Sequence, residues 1–344
     1  MKSANVGLRA RPDDLGAVMP HVVNALRTAR SVLCIMHAGP GGDACGSTLG
    51  LALALSEMGR DVTLFCHTEV PENLRFLPGL ERLVHTLPAD ARWDASVVCD
   101  VGASHRIGPG VPERHRLGTY VNLDHHLTSD DFGDVNYVDA HAASVGVIVA
   151  RLLSALGHPL SKPVATALYT SVLTDTGSFR YASANPESFR VAAELVAAGA
   201  DPWEISSNIY EQQPVARLRL LREALGSLHV SPDGLFASIV ISRSMVTGVG
   251  AESGLTDGFI NFARGIRGVE VAAQFTEPAS GSGDPWGISF RSRGKVNVAA
   301  VAARFGGGGH HNAAGARIHG SVGEVQAVVA AAVSAEVAAS RRNS

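Results

Sequence analysis

The sequence predicts an α/β protein: a first domain built on a parallel sheet with crossover helices, then a smaller domain of mixed α+β type. Three observations lead there. The chain has 344 residues, enough for two separate cores. Through its first half, short apolar runs rich in β-branched residues alternate with helix-like segments, the rhythm of parallel strands joined by helices. Late in the chain, apolar and polar residues instead alternate singly, as half-buried strands do.

Taken in order, SVLCIM (31–36) is the first strand, followed by a glycine-rich loop, HAGPGGDACGS (37–47), that carries Asp43 out of the strand. STLGLALALSEMG has helical period and stops at Gly59, a residue suited to the left-handed turn that ends a helix. The runs VTLFC (62–66), ASVVC (95–99) and YVNL (120–123) supply further strands. Two helices follow: SVGVIVARLLSALG (144–157) is amphipathic, whereas the helix that starts near Pro163 and runs through VATALYTSVLTD is apolar almost all round and belongs at the centre. After Tyr181 the chain becomes helix-rich and polar, and QQPVARLRLLREALGSL (212–228) reads as a connecting helix. The expected limits are 1–205 for the first domain, 206–228 for the connector and 229–344 for the second domain. In the latter, LFASIVIS, VEVAAQFTE and WGISFRS are strands, and VQAVVAAAVSAEVAASRRNS is a closing helix. No internal repeat is visible.

Lys plus Arg number 29 and Asp plus Glu 32, so there is no broad basic field to hold long nucleic acid. The cysteines at 34, 45, 66 and 99 have no metal-binding spacing and read as core thiols of a reducing compartment. No run approaches the ~18 apolar residues of a membrane span, and the start has no apolar stretch of the signal-peptide kind. A cytoplasmic location is expected.

The residues that can bind metals fall at strand ends. His37 follows the first strand, Asp100 follows ASVVC, Asp124-His125-His126 follows the run YVNL, and Asp175 ends the apolar helix. Singly, each has an ordinary structural role: a helix cap for Asp43 or Asp100, a satisfied core residue for His37, a turn for Asp175. Three adjacent ionisable residues leaving a buried strand are harder to absorb, because they must find partners or stay wet. In an open parallel sheet all these side chains converge on one edge. Aspartate oxygens and imidazole nitrogens without thiolate suit Mn²⁺, Mg²⁺ or a similar divalent ion. Five or more such ligands suggest two ions, ~3.5–4 Å apart, clamping a phosphoryl group.

HAGPGGDACGS, CDVGASHRIG, LDHH and LTDTGSF resemble, in order and spacing, the four motifs of the DHH phosphoesterase superfamily. SFRSRGKVNVAAVAARFGGGGHHNAAG (289–315) resembles its associated C-terminal domain. Among members, the compact two-domain nanoRNase/pAp-phosphatase group is the most similar. The resemblance implies an active site in the cleft between the domains and a two-ion centre, with Mn²⁺ favoured over Mg²⁺ or Co²⁺. It implies hydroxide attack on short oligoribonucleotides (nanoRNA, linear dinucleotides) or on 3′-phosphoadenosine 5′-phosphate. The partners implied are short RNA or a mononucleotide and a second copy of the chain, with no long nucleic acid and no membrane.

Carried over by position, His37 and Asp100 hold the first metal, and Asp43, Asp100, His125 and Asp175 the second. Asp100 bridges the two, and His126 contacts the scissile phosphate. Arg291, Ser292, the run Gly306, Gly307, Gly308, Gly309, and His310 bind the rest of the nucleotide, with His311 and Asn312 nearby.

The family's first motif ordinarily reads His-x-x-Pro-Asp-x-Asp, and here the first aspartate is Gly41. Losing that carboxylate should lower the first ion's affinity and weaken the activity. The same glycine makes GPGGDA (39–44) fit G-x-G-x-x-[GA], the dinucleotide-binding fingerprint. That alternative expects an acidic residue closing the second strand, where His67 and Thr68 stand and Glu69 comes late. GGGGHHNAAG resembles a P-loop but lacks its Lys-Ser/Thr pair; four successive glycines favour backbone contact with phosphate. A nucleotide sensor that binds without cleaving is the remaining reading.

Overall fold

The apolar runs of the first half pair side by side. β1 (Leu8–Arg9), β2 (Ser31–Ile35), β3 (Asp61–Phe65), β4 (Leu83–Val84), β5 (Ala95–Cys99), β6 (Thr119–Asp124) and β7 (Val135–Val138) form one sheet in the order β1-β7-β6-β5-β2-β3-β4. Every neighbouring pair is parallel. The computed structural model describes residues 8–9, 15–126, 128–251, 255–278 and 283–342, in two units, Met1–Gln212 and Gln213–Ser344.

The strands are apolar in unbroken runs because both faces of the sheet are covered. Val32 and Cys34 enter the core formed with α1 (Leu15–Thr28), α2 (Gly42–Glu57), α3 (Val145–Leu156) and α4 (Lys162–Asp175), while Leu33 and Ile35 face a second cluster with Phe65, Trp93, Ile107 and Tyr120. All four cysteines are free and buried. α5 (Pro186–Ala197) and α6 (Pro202–Tyr210) complete the unit.

Three glycines four residues apart, Gly42, Gly46 and Gly50, form one stripe of α2 against α4. A Cβ at each would come under 3.0 Å from Thr174, from the Ala167 carbonyl and Ser171, and from Leu168 respectively. The two helices therefore touch almost backbone to backbone. Because the obstacle at Gly46 is main chain, Gly46→Ala should destabilise by about 1–3 kcal/mol, read as a lower urea midpoint.

The second unit begins with α7 (Val215–Gly226), which was expected as a connector and packs on this unit's sheet. β8 (His229–Val230), β9 (Phe236–Ile241), β10 (Val271–Thr276), β11 (Trp286–Ser292), β12 (Gly308–His310) and β13 (Ala313–Ile318) pair in the order β12-β13-β11-β10-β9-β8. Only β9 and β10 run parallel. α10 (Val298–Ala303) and α11 (Val322–Arg342) cover one face; α7 and α9 (Ile260–Arg264) cover part of the other, and α8 (Arg243–Gly248) lies between β9 and α9 in sequence. By length and composition α11 could cross a membrane, but Val325, Val329 and Val333 are buried in the core.

One expectation needs correction: the helix after β2 starts at Gly42, so Asp43 lies in its first turn and not on a loop. Part of the glycine run, Gly308–His310, is an edge strand on β13. A Cβ at Gly307 or Gly309 would strike the backbone of β13, so glycine is what lets the segment approach.

Candidate metal centre

The sheet order changes direction between β2 and β5: the chain continues outward through β3 and β4 on one side and through β6 and β7 on the other. At such a switch point the loops diverge and leave a crevice beyond the strand ends. His37 stands at the end of β2 and Asp100 at the end of β5, with His37 Nε2 3.8 Å from Asp100 Oδ2. Asp100 adopts a left-handed backbone, φ 61°, which Asp tolerates better than most side chains, and its N–H donates to the Leu123 carbonyl at 3.0 Å.

His125 is the hub. Its Nδ1 pairs with the Ala142 carbonyl at 3.1 Å, which fixes the tautomer with the proton on Nδ1. Nε2 then faces three carboxylates: Asp43 Oδ2 at 3.7 Å, Asp100 Oδ1 at 3.7 Å and Asp175 Oδ2 at 3.6 Å. Asp175 is the last residue of α4, so the glycine seam between α2 and α4 sets its spacing from Asp43. Asp43, 4% exposed, accepts from the N–H groups of Val145 (2.9 Å) and Gly146 (3.3 Å) at the start of α3 and from the Ser171 hydroxyl. The helix N-terminus favours its negative charge.

His126 is held differently. Its Nδ1 lies 2.6 Å from Asp124 Oδ1, and Asp124 is fully buried at the end of β6. Burial opposes the Asp124 charge, but the His126 hydrogen bond and charge hold its carboxyl below the ordinary carboxylate range. Asp100, His125 and His126 form one group able to hold a metal ion, and Asp43, His125 and Asp175 another. Because Nδ1 of His126 is committed to Asp124, its ring is oriented rather than offered through that atom.

So many carboxylates together are unfavourable without a cation. Burial and the neighbouring Asp43 push the Asp100 carboxyl well up, and the same two causes push Asp175 to about 7. Burial opposes the His125 charge, but Asp43, Asp175 and Asp100 outweigh it and raise the imidazole to about 9. Burial keeps His37 below its ordinary range, in the neutral form that ligates metals. The donor set therefore fits divalent cations, which would replace the protons.

The sign of the pH effect follows. A group whose folded pKa is raised gives stability at low pH that is lost as pH climbs through that value. For Asp175 the loss runs from 3.8 through about 7, and for His125 from 6.5 through about 9. Metal-free protein should thus melt at progressively lower temperature between about pH 4 and about pH 9, and saturating Mn²⁺ should remove most of that fall. Differential scanning fluorimetry with and without the ion checks both arms.

Gly41, at the start of α2, has an ordinary extended backbone (φ −87°, ψ −175°), and nothing lies within 4 Å of where its Cβ would be. The dinucleotide reading has no acidic partner at the end of β3: Thr68 instead accepts from the Gly39 N–H at 2.7 Å.

The expected nucleotide-binding residues lie in the second unit. Arg291 ↔ Ala313 ↔ His310 form one row across β11, β13 and β12. Gly308 and Gly309 belong to β12, and Gly306 and Gly307 lead into it. The His310 side chain is outside the described residues. Ser292 points inward, 2% exposed, with its hydroxyl donating to Asn312 Oδ1 at 2.9 Å, so those two side chains satisfy each other. His311 Nε2 pairs with the Gly294 carbonyl at 3.0 Å. Ser171 and the Ala142 carbonyl were not anticipated as parts of the centre, and Asp124 was placed at its edge without the role of orienting His126. The Asp-x-His spacing of Asp124 and His126 is the one local signal that could have suggested a pair.

The chain resembles known proteins in sequence and fold. The DHH family N-terminal domain matches residues 31–172 and the DHHA1 domain residues 237–337. A bifunctional oligoribonuclease and PAP phosphatase NrnA from Thermus thermophilus is 34% identical over 287 residues, 83% of each chain. The protein of the same name from Bacillus subtilis is 26% identical over 84% of this chain and 90% of its own. The crystal structure of an exopolyphosphatase-related protein from Bacteroides fragilis superposes with a TM-score of 0.86 at 27% identity, covering 95% of this chain and 98% of the other.

Proposed function

The chain belongs to the DHH family, with its N-terminal domain in the first unit and a DHHA1 domain in the second, and from that membership we propose that it hydrolyses short oligoribonucleotides to mononucleotides and 3′-phosphoadenosine 5′-phosphate to AMP. The observation that carries the reading is the convergence of Asp43, Asp100 and Asp175 on His125 Nε2, each at 3.6–3.7 Å, at the switch point of a parallel sheet.

His37 and Asp100 would hold one divalent ion and Asp43, Asp100, His125 and Asp175 a second, Mn²⁺ by preference with Mg²⁺ or Co²⁺ as substitutes. Such ions, when bound, activate water and neutralise charge on the phosphoryl oxygens. The chain's own groups do the placing. Ser171 and the start of α3 fix Asp43, Ala142 fixes His125, and Asp124 fixes the His126 ring so that Nε2 meets the scissile phosphate. Arg291, the glycine run and His310 bind the remainder of the nucleotide, which favours short ligands. The four buried free cysteines suit a cytoplasmic enzyme.

A second reading, a sensor that binds nucleotides without turnover, is favoured by Gly41 alone. An assay on a diribonucleotide and on 3′-phosphoadenosine 5′-phosphate with added Mn²⁺ separates the two. Release of mononucleotide or phosphate that stops with EDTA is expected. Tight nucleotide binding with no product, also in Gly41→Asp, would establish the sensor instead.

A further inference from the structure

The connection from β7 to α3, residues 139–144, supports two of the candidate ligands from behind. Its Ala142 carbonyl takes the Nδ1 proton of His125 at 3.1 Å, and the N–H groups of Val145 and Gly146, which follow it, hold Asp43. A carbonyl orients an imidazole only as firmly as its own peptide is held. Here the peptide is held by the buried Asp139.

Asp139, 3% exposed, grips the turn with all of its polar groups. Its N–H donates at 2.9 Å to the carbonyl of Asp124, the residue before His125, and its own carbonyl accepts from the Ala142 N–H at 3.0 Å, closing a tight turn. Oδ1 accepts from the His141 N–H at 3.0 Å, the local side-chain bond that suits Asp to turns. Oδ2 accepts from Arg151 at 2.6 Å. Arg151 stands on α3 and forks onto Glu187 of α5, with its Nε donating to Oε1 at 2.6 Å and its third nitrogen to Oε2. Also from α5, Asn185 Nδ2 donates to the His141 carbonyl at 3.0 Å.

Two ordinary roles do not account for Asp139. It does not cap α3, because the cap is Ser144, whose hydroxyl accepts from the Val147 N–H. Arg151 does not need it as a counter-charge, since Glu187 already binds that guanidinium through both oxygens. A buried ion pair also adds little stability over apolar residues of the same volume. The shape that Asp139 imposes on residues 139–142 is what remains.

We propose that Asp139, anchored by Arg151, is a positioning residue that sets the metal-binding face of His125 by fixing the Ala142 carbonyl; the inference rests on His125 being a metal ligand. With the turn held, the proton stays on Nδ1 and Nε2 is presented to Asp43, Asp100 and Asp175. With the turn released, the imidazole can rotate about its Cβ–Cγ bond or carry its proton on Nε2, where it cannot ligate.

Two measurements on the full chain test this: Mn²⁺ titration followed by electron paramagnetic resonance, and the Nδ1–H proton resonance of His125 in metal-free protein with isotope-labelled histidine. Asp139→Ala leaves Arg151 paired with Glu187, and it should weaken the tightest Mn²⁺ at least about tenfold and lose the hydrogen-bonded resonance. Glu187→Gln weakens the hold of the same arginine on α5 and leaves the turn to Asp139, so it should lower the Tm with Mn²⁺ affinity and resonance unchanged. Affinity and resonance unchanged in Asp139→Ala, or an equal loss of both in Glu187→Gln, overturns the inference. If the alanine variant does not fold, Asp139→Asn, which keeps an acceptor for the His141 N–H and gives up the charge facing Arg151, decides by the same two readings. Loss of Mn²⁺ affinity in a chain that hydrolyses no nucleotide supports the positioning role and removes only the hydrolase reading. Turnover of a diribonucleotide at limiting Mn²⁺ that is as fast in Asp139→Ala as in the unaltered chain does the reverse.

Discussion

Asp100→Asn should lower kcat/KM on a diribonucleotide by on the order of 10³-fold, the largest loss expected from any single substitution in the chain. Among the described residues Asp100 is the one carboxylate paired within 4 Å of both His37 and His125, at 3.8 and 3.7 Å, so its charge would serve both proposed ion positions. Asparagine is the informative replacement. It keeps the size of the side chain and tolerates the left-handed backbone at φ 61°, whereas alanine would add a penalty of roughly 1–2 kcal/mol unrelated to the metal. Stability moves the other way: the Asp100 carboxyl is pushed up by burial and by Asp43, so the neutral amide should raise the Tm of metal-free protein. Loss of activity with retained or higher apo stability is the expected pair of results. A decrease of less than tenfold would remove Asp100 from the centre.

Gly41→Asp should act in the opposite sense. The position has an ordinary backbone and open space for a side chain, so the substitution meets no steric obstacle. As a helix cap, aspartate in place of glycine changes stability by only a few tenths of a kcal/mol, about the limit of detection. A carboxylate restored at this motif position, if it completes the proposed first-ion site, should tighten that ion on the order of a hundredfold and raise kcat at subsaturating Mn²⁺ by a similar factor. Metal analysis after dialysis gives the direct measure: about one ion per chain before the change and about two after it. Two tightly held ions in the unaltered chain would show that Gly41 is no defect.

The central strands were legible because strands buried on both faces are written as unbroken apolar runs, and the strand-end ligands because each follows such a run directly. β7 and the short edge strands were not, since VNYV alternates too briefly to stand out, and β12 is nearly all glycine. The role of Asp43 was half visible. It does sit at a helix N-terminus, but the helix it caps is α3, 102 residues further on, and no local pattern specifies a partner at that separation. Ser292 was carried over from the family motif together with Arg291; on a strand adjacent residues face opposite ways, and the Ser292 hydroxyl donates to Asn312 Oδ1 on the inner side. Asp124 orients His126 from a wholly buried position, and burial of that kind is a property of the folded sheet.

The stripe of Gly42, Gly46 and Gly50 against α4 bears on which element the protein selects. Asp43 is carried by one helix and Asp175 by the other, and helices in main-chain contact have no slack through which to move apart. A large ion such as Ca²⁺ wants six to eight oxygens at about 2.3–2.6 Å and an adaptable cage, while smaller ions accept fewer donors held closer. A jaw of fixed opening therefore discriminates by ionic radius, and Ca²⁺ should be excluded by the backbone spacing of two helices rather than by the chemistry of the side chains they present.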